Sequence, residues 1–191
     1  MIFSSINSQE NIDSLKVKTN PIIFTDLNVG YANGALKGIS GGISLNYQAK
    51  DNLFKFRFFR VEDIEKIEFF LIFPINSIYT TLDEYAFLYG KRYIDDGFSY
   101  HFSGGISYNK EKYHNNGNVT TKGSFIGFPL EIGVGWFKSK KERFRVFYGL
   151  IPVGKPTGFG RSFGIKLYAN IAKKSYVGLG LSVGLGWHKK Y

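Results

Sequence analysis

The sequence predicts an all-β fold: a closed, up-and-down antiparallel barrel of eight strands that crosses a membrane. Three observations carry this reading. Hydropathy alternates with period two over most of the chain, which marks strands with two unlike faces. The 191 residues include 19 Phe, 13 Tyr and 23 Gly, a ring-rich and glycine-rich mixture foreign to a helical enzyme. The face opposite the bulky residues carries Gly and Ser, with scattered charges, where a solvated sheet face would carry Lys, Glu and Thr.

Residues 23–32 set Leu27, Val29 and Tyr31 against Asp26, Asn28 and Gly30. Residues 38–48 set Ile39, Ile43, Leu45 and Tyr47 against Ser40, Gly42, Ser44 and Asn46. Residues 53–61, around Phe54-Lys55-Phe56-Arg57-Phe58, and 82–92, around Glu84 to Gly90, alternate less cleanly. Residues 97–109 oppose Phe98, Tyr100, Phe102, Ile106 and Tyr108 to Ser99, His101, Ser103, Gly105 and Ser107. Residues 124–136 oppose Ile126, Phe128, Leu130, Ile132, Val134 and Trp136 to Gly127, Pro129, Glu131, Gly133 and Gly135. Residues 162–172 place Phe163, Ile165, Leu167, Ala169 and Ile171 on one face. Residues 175–187 place Val177, Leu179, Leu181, Val183, Leu185 and Trp187 against four Gly and a Ser. Each strand has about the nine to eleven residues that a tilted strand needs to cross a bilayer, or slightly more. Residues 67–73 and 144–151 could each add a strand and make ten, but eight is the preferred count.

The bulky face is expected to meet lipid. Glycine covers nothing on a solvated strand, whereas small residues suit the cramped interior of an eight-stranded barrel. Leu179, Leu181, Val183, Leu185 and Trp187 are therefore read as lipid-facing. Trp136, Trp187, Tyr31, Tyr47, Tyr100 and Tyr108 lie on the same face, mostly near strand ends, where interfacial girdles sit. The inward face holds Asp26, Lys55, Arg57, Glu84, Arg92, Glu131 and Lys166. Buried ions must pair, so the carboxylates of Asp26, Glu84 and Glu131 are expected to neutralise Lys55, Arg57, Arg92 and Lys166 and fill the lumen. A soluble carrier barrel of the lipocalin kind is the alternative, and it would turn its apolar face inward.

The turns at 49–52 and 93–96 are short, whereas 62–81 and 110–123 read as long, partly polar outside loops. An even strand count then places both termini on the periplasmic side. The formal charge of +10 attracts anions. The basic residues fall in short clusters at 138–141, 173–174 and 189–190, which suit turns and chain ends better than a nucleic-acid groove. Residues 1–21 form a separate N-terminal segment before a barrel at 22–191, and Met1 to Gln9 reads as the tail of a secretion signal. With no Cys and three His, a zinc or thiolate site is not expected, and neither is any cofactor.

Glu84 to Arg92, Gly127 to Gly133 and Leu167 to Ile171, followed by the glycine-alternating end, resemble small outer-membrane barrel proteins of Bacteroidetes-type bacteria. The resemblance covers roughly residues 23 to 191. It implies the barrel and an outer-membrane address, and it brings no catalytic residues. The implied partners are outer-membrane lipid and lipopolysaccharide, with the barrel-assembly machinery for insertion, in a monomer without nucleic acid. The expected role is structural or adhesive. The enzymatic alternative is a lipid A deacylase-like hydrolase built on Ser103, His101 and Glu131, since a nucleophile needs an oriented base in hydrogen-bond reach.

Overall fold

The computed structural model describes residues 20–70, 73–116, 118–147 and 150–191. Of the expected leader remnant and N-terminal segment at 1–21, only Asn20 and Pro21 fall among them. Ten strands follow in chain order: β1 (Ile22–Gly34), β2 (Gly38–Ala49), β3 (Asn52–Phe70), β4 (Phe73–Asp95), β5 (Phe98–Asn115), β6 (Asn118–Phe137), β7 (Glu142–Val146), β8 (Ile151–Thr157), β9 (Phe159–Ala172) and β10 (Tyr176–Trp187). Eight of them close a barrel in the order β1-β10-β9-β6-β5-β4-β3-β2, and every neighbouring pair is antiparallel. The β1–β10 ladder, from Ile23 opposite Trp187 to Gly34 opposite Tyr176, closes the ring, so the barrel proper has no sheet edge.

The two segments that could have raised the strand count do not enter the ring separately. The described part of 67–73 belongs to the ends of β3 and β4. Strands β7 and β8 pair only with each other, as a hairpin in the long connection between β6 and β9.

Period two fixes which residues face out. Along β10, Leu179, Leu181, Val183 and Leu185 are exposed, and the intervening Gly and Ser are buried. The inward glycines make room for rings. A methyl group at Gly178 would meet the ring of Tyr168, and one at Gly42 would meet Phe59. Gly178→Leu is therefore expected to displace Tyr168 and weaken the fold by about 1–3 kcal/mol, read as a lower urea midpoint for unfolding.

The described residues of 62–81 and 110–123 are not loops. They continue β3, β4, β5 and β6 as a four-stranded flange above the barrel. Cross-strand chemistry accounts for the extension. Asp83 on β4 accepts from Arg60 Nε on β3 at 2.6 Å and from Lys112 Nζ on β5 at 2.7 Å. Tyr79 stacks on His114 with ring centroids 4.3 Å apart. Opposite-charge and ring pairs are the unit of sheet stabilisation, and they replace the apolar and small alternation that marks the barrel proper.

The opposite end carries the turns at 50–51 and 96–97, the β7–β8 hairpin and both described chain ends. Each of the two turns passes through a residue with positive φ, Lys50 at 55° and Asp96 at 49°, as tight hairpins matched to strand twist require. Asn20 and Tyr191 meet there, the Tyr191 amide donating to Asn20 Oδ1 at 2.8 Å.

Candidate functional site

Three layers fill the lumen. At the flange end, Ala32, Leu36, Phe59, Val61, Leu82, Tyr168 and Tyr176 form a buried apolar cluster. Below it lies a charged layer whose acidic and basic members, Asp26, Lys55, Arg57, Glu84, Glu131 and Lys166, come from five strands. Glu131 on β6 pairs with Lys55 on β3 and accepts from Arg57 Nη1 at 2.9 Å. Its Oε1 also lies 2.9 Å from His101 Nε2 on β5 and 3.7 Å from Lys166 Nζ on β9. Arg57 donates to Glu84 Oε1 through Nη2 at 2.6 Å and Nε at 3.1 Å. The other Glu84 oxygen accepts from Tyr176 Oη and Asn170 Nδ2, each at 2.6 Å. Lys166 pairs with Asp26, which also accepts from Asn46 Nδ2 at 2.7 Å. All of these side chains are buried, and their mutual pairing offsets a desolvation cost of several kcal/mol per ion.

Arg92 departs from the expected pattern. Among the described residues it makes no ion pair with Asp26, Glu84 or Glu131. It donates instead to Gln48 Oε1 at 2.8 Å, the His188 carbonyl at 2.9 Å and Ser99 Oγ at 3.1 Å. Its guanidinium lies 4.9 Å from the Phe24 ring centroid and 5.5 Å from that of Phe137. Strand position explains this. Arg92 sits at the terminus end of β4, one full layer below the carboxylates, where neutral acceptors and ring faces are what it can reach. With His188, which packs on the same two rings, it forms the third layer.

A void beside the charged layer, bounded by Phe24, Asp26, Lys55, Arg92, His101 and Lys166 among others, measures about 30 Å³. That is room for one or two waters and not for a channel or a bound apolar ligand. A carrier barrel needs the reverse arrangement, an apolar interior with a roomy cavity.

The hydrolase geometry is not assembled. His101 turns its Nε2 to Glu131, and Ser103 Oγ is buried without a hydrogen-bond partner among the described residues. Nucleophile and base therefore share a face without touching. Ser103→Ala is expected to leave esterase and lipid A deacylation assays unchanged. Among the described residues, no three His, Cys, Asp or Glu groups converge as metal ligands.

Period two puts Tyr168 and Asn170 on the inward face of β9, with no mark in that alternation of what they do there. Tyr168 hydrogen-bonds Ser40 Oγ at 2.5 Å and shields the charged layer from above. The signal was present in the facing glycines, Gly30 and Gly178, which leave room for one large ring.

Outside, two ring belts bound the apolar band. At the terminus end, Tyr47, Phe54 and Tyr89 pack in series at 6.3 and 5.3 Å. Phe98, Trp136 and Phe163 follow at 5.7 and 6.4 Å, and Phe159 meets half-buried Trp187 at 5.2 Å. At the flange end, Phe58 meets Tyr85 at 5.1 Å, with Tyr108 beside it in register. Along β10 the outward row from Val177 to Trp187, at about 3.3 Å per residue and a tilt of about 40°, makes the apolar band about 25 Å tall, the hydrocarbon span of such barrels. Arg60, Asp83 and Lys112 ring the exterior directly above it.

No protein-family model matches the chain, and no curated protein matches it either. Solved structures do. Neisserial surface protein A is similar at 14% identity and TM-score 0.51, over 86% of this chain and 95% of that one. The attachment invasion locus protein Ail of Yersinia pestis, crystallised with the heparin analogue sucrose octasulfate, is similar at 13% identity and TM-score 0.48, over 85% and 95%. The N-terminal barrel domain of Pseudomonas aeruginosa OprF is similar at 9% identity and TM-score 0.44, over 87% and 98%. The likeness to the neisserial protein, together with the ring closure seen here, establishes the fold as an eight-stranded antiparallel barrel of the outer-membrane type.

Proposed function

We propose that this protein is an integral barrel of a Gram-negative outer membrane, without catalysis, whose work is structural or adhesive and is done by the flange. One observation carries the reading: an outward apolar band between two ring belts surrounds an interior filled by ion pairs. Outside hydrocarbon, so many exposed leucines, isoleucines and phenylalanines would form a continuous patch far beyond what a water-soluble monomer exposes. In hydrocarbon, a closed barrel satisfies every backbone group and needs no further cover.

The turns at 50–51 and 96–97, the termini and the β7–β8 hairpin then belong to the periplasmic side, and the flange to the cell exterior. Arg60, Lys110 and Lys112 stand above the upper belt, at the height of lipopolysaccharide phosphates. Insertion requires the barrel-assembly machinery, and the inserted protein acts as a monomer. Fractionation of native cells tests the address. The protein is expected in the outer-membrane fraction, and in detergent its unheated form is expected to migrate faster on a gel than its boiled form. A monomer that stays folded in plain buffer without detergent would overturn the reading.

A further inference from the structure

The β7–β8 hairpin is amphipathic in an unusual place. Its far end exposes Phe147 at 71%, Leu150 at 77%, and Ile151 and Val153 at 50% each. Its base encloses a cavity of about 190 Å³ lined by Lys138, Lys140, Arg143, Arg161, Phe159 and Tyr191. The carboxylate in that lining, Glu142, is already paired with Lys138. Arg161 lies on the outward row of β9, between Phe163 and Phe159 of the lower ring belt, so the cavity opens beside the barrel wall at headgroup height. Tyr191 closes one side, its hydroxyl donating to the Lys138 carbonyl at 2.9 Å.

A soluble anion needs only the cations. The apolar end of the hairpin has no such use, and neither does the placement on the lipid-facing row. Both are accounted for by a molecule that carries a phosphate and an acyl chain together. We propose that the β7–β8 hairpin is an interfacial anchor, its basal cavity binding the phosphate of an anionic phospholipid in the leaflet on the side of the termini. Its exposed apolar residues enter the headgroup boundary of the same leaflet. This rests on the membrane reading given above.

The two tryptophans of the chain report on the site, because Trp136 packs on Phe163 and Trp187 on Phe159. The full-length protein is inserted into phosphatidylcholine vesicles containing an equal mole fraction of either brominated phosphatidylglycerol or brominated phosphatidylcholine, and tryptophan quenching is measured. Brominated phosphatidylglycerol is expected to be enriched about threefold over its bulk fraction. Lys140→Gln with Arg143→Gln should return quenching to parity. Lys50→Gln with Lys190→Gln, which removes two charges from the same rim outside the cavity, should not. Equal quenching by both lipids in the unmodified protein overturns the proposal while leaving the membrane reading intact. An equal loss in the Lys50 and Lys190 variant also overturns it, because diffuse charge would then suffice. Loss of the preference in millimolar inorganic phosphate, but not in chloride of the same ionic strength, reassigns the cavity to a soluble anion and overturns it too. Quenching by neither lipid removes the membrane reading, and the proposal with it.

Discussion

Replacing Glu131 with Gln is expected to destabilise the folded barrel by about 3–5 kcal/mol, the range found when one member of a buried ionic cluster is removed. Glu131 is the point where Lys55, Arg57 and His101 converge, with Lys166 close by. The amide keeps the shape and loses the charge. Two carboxylates, Asp26 and Glu84, are then left facing the cations. Urea unfolding of the protein in lipid vesicles, followed by tryptophan fluorescence, measures the effect. Adding Lys55→Met to Glu131→Gln should recover part of the loss, because the methionine stem fills the lumen without a charge to solvate. A double variant less stable than Glu131→Gln alone would show that the layer does not act through charge balance.

Leu181→Arg is expected to cost about 2–4 kcal/mol in a bilayer, the penalty for a cation at the midplane of a lipid-facing strand. Leu181 lies midway along β10 and is 54% exposed. Val119→Arg is the matched control. Val119 is 57% exposed but belongs to the flange, above the upper ring belt, and its replacement should cost close to nothing. For a protein in water both positions are ordinary surface, and both changes would fall within about 0.5 kcal/mol of zero. Equal effects at the two sites would remove the apolar band from the account.

The eight barrel strands were legible because lipid on one side and a crowded lumen on the other impose opposite demands on successive residues. Leu179 and Gly180 could not exchange places. That pressure ends at the ring belts, and legibility ends with it. In Glu62-Asp63-Ile64-Glu65 both faces are solvated, so period two vanishes although β3 continues. The β7–β8 hairpin was missed as a unit for a related reason, since β8 is exposed on both faces. Charge composition of the lumen was readable; partner choice was not. Asp26 and Lys166 lie 140 positions apart in sequence, and only ring closure and strand register bring them together. Arg92 carries no sequence mark of its distance from the carboxylate layer. Its hydrogen bonds to a glutamine, a serine and a carbonyl depend on three other strands ending at the same height.

The position of Arg92 also bears on what would pass through the barrel if it ever leaked. Among the described residues, four basic groups, Lys55, Arg57, Arg92 and Lys166, line the barrel interior against the three carboxylates of Asp26, Glu84 and Glu131. The surplus sits at the terminus end, where Arg92 is held by neutral groups. A variant widened there should pass chloride more readily than potassium across a planar bilayer, and its reversal potential in a salt gradient would carry the sign of that preference.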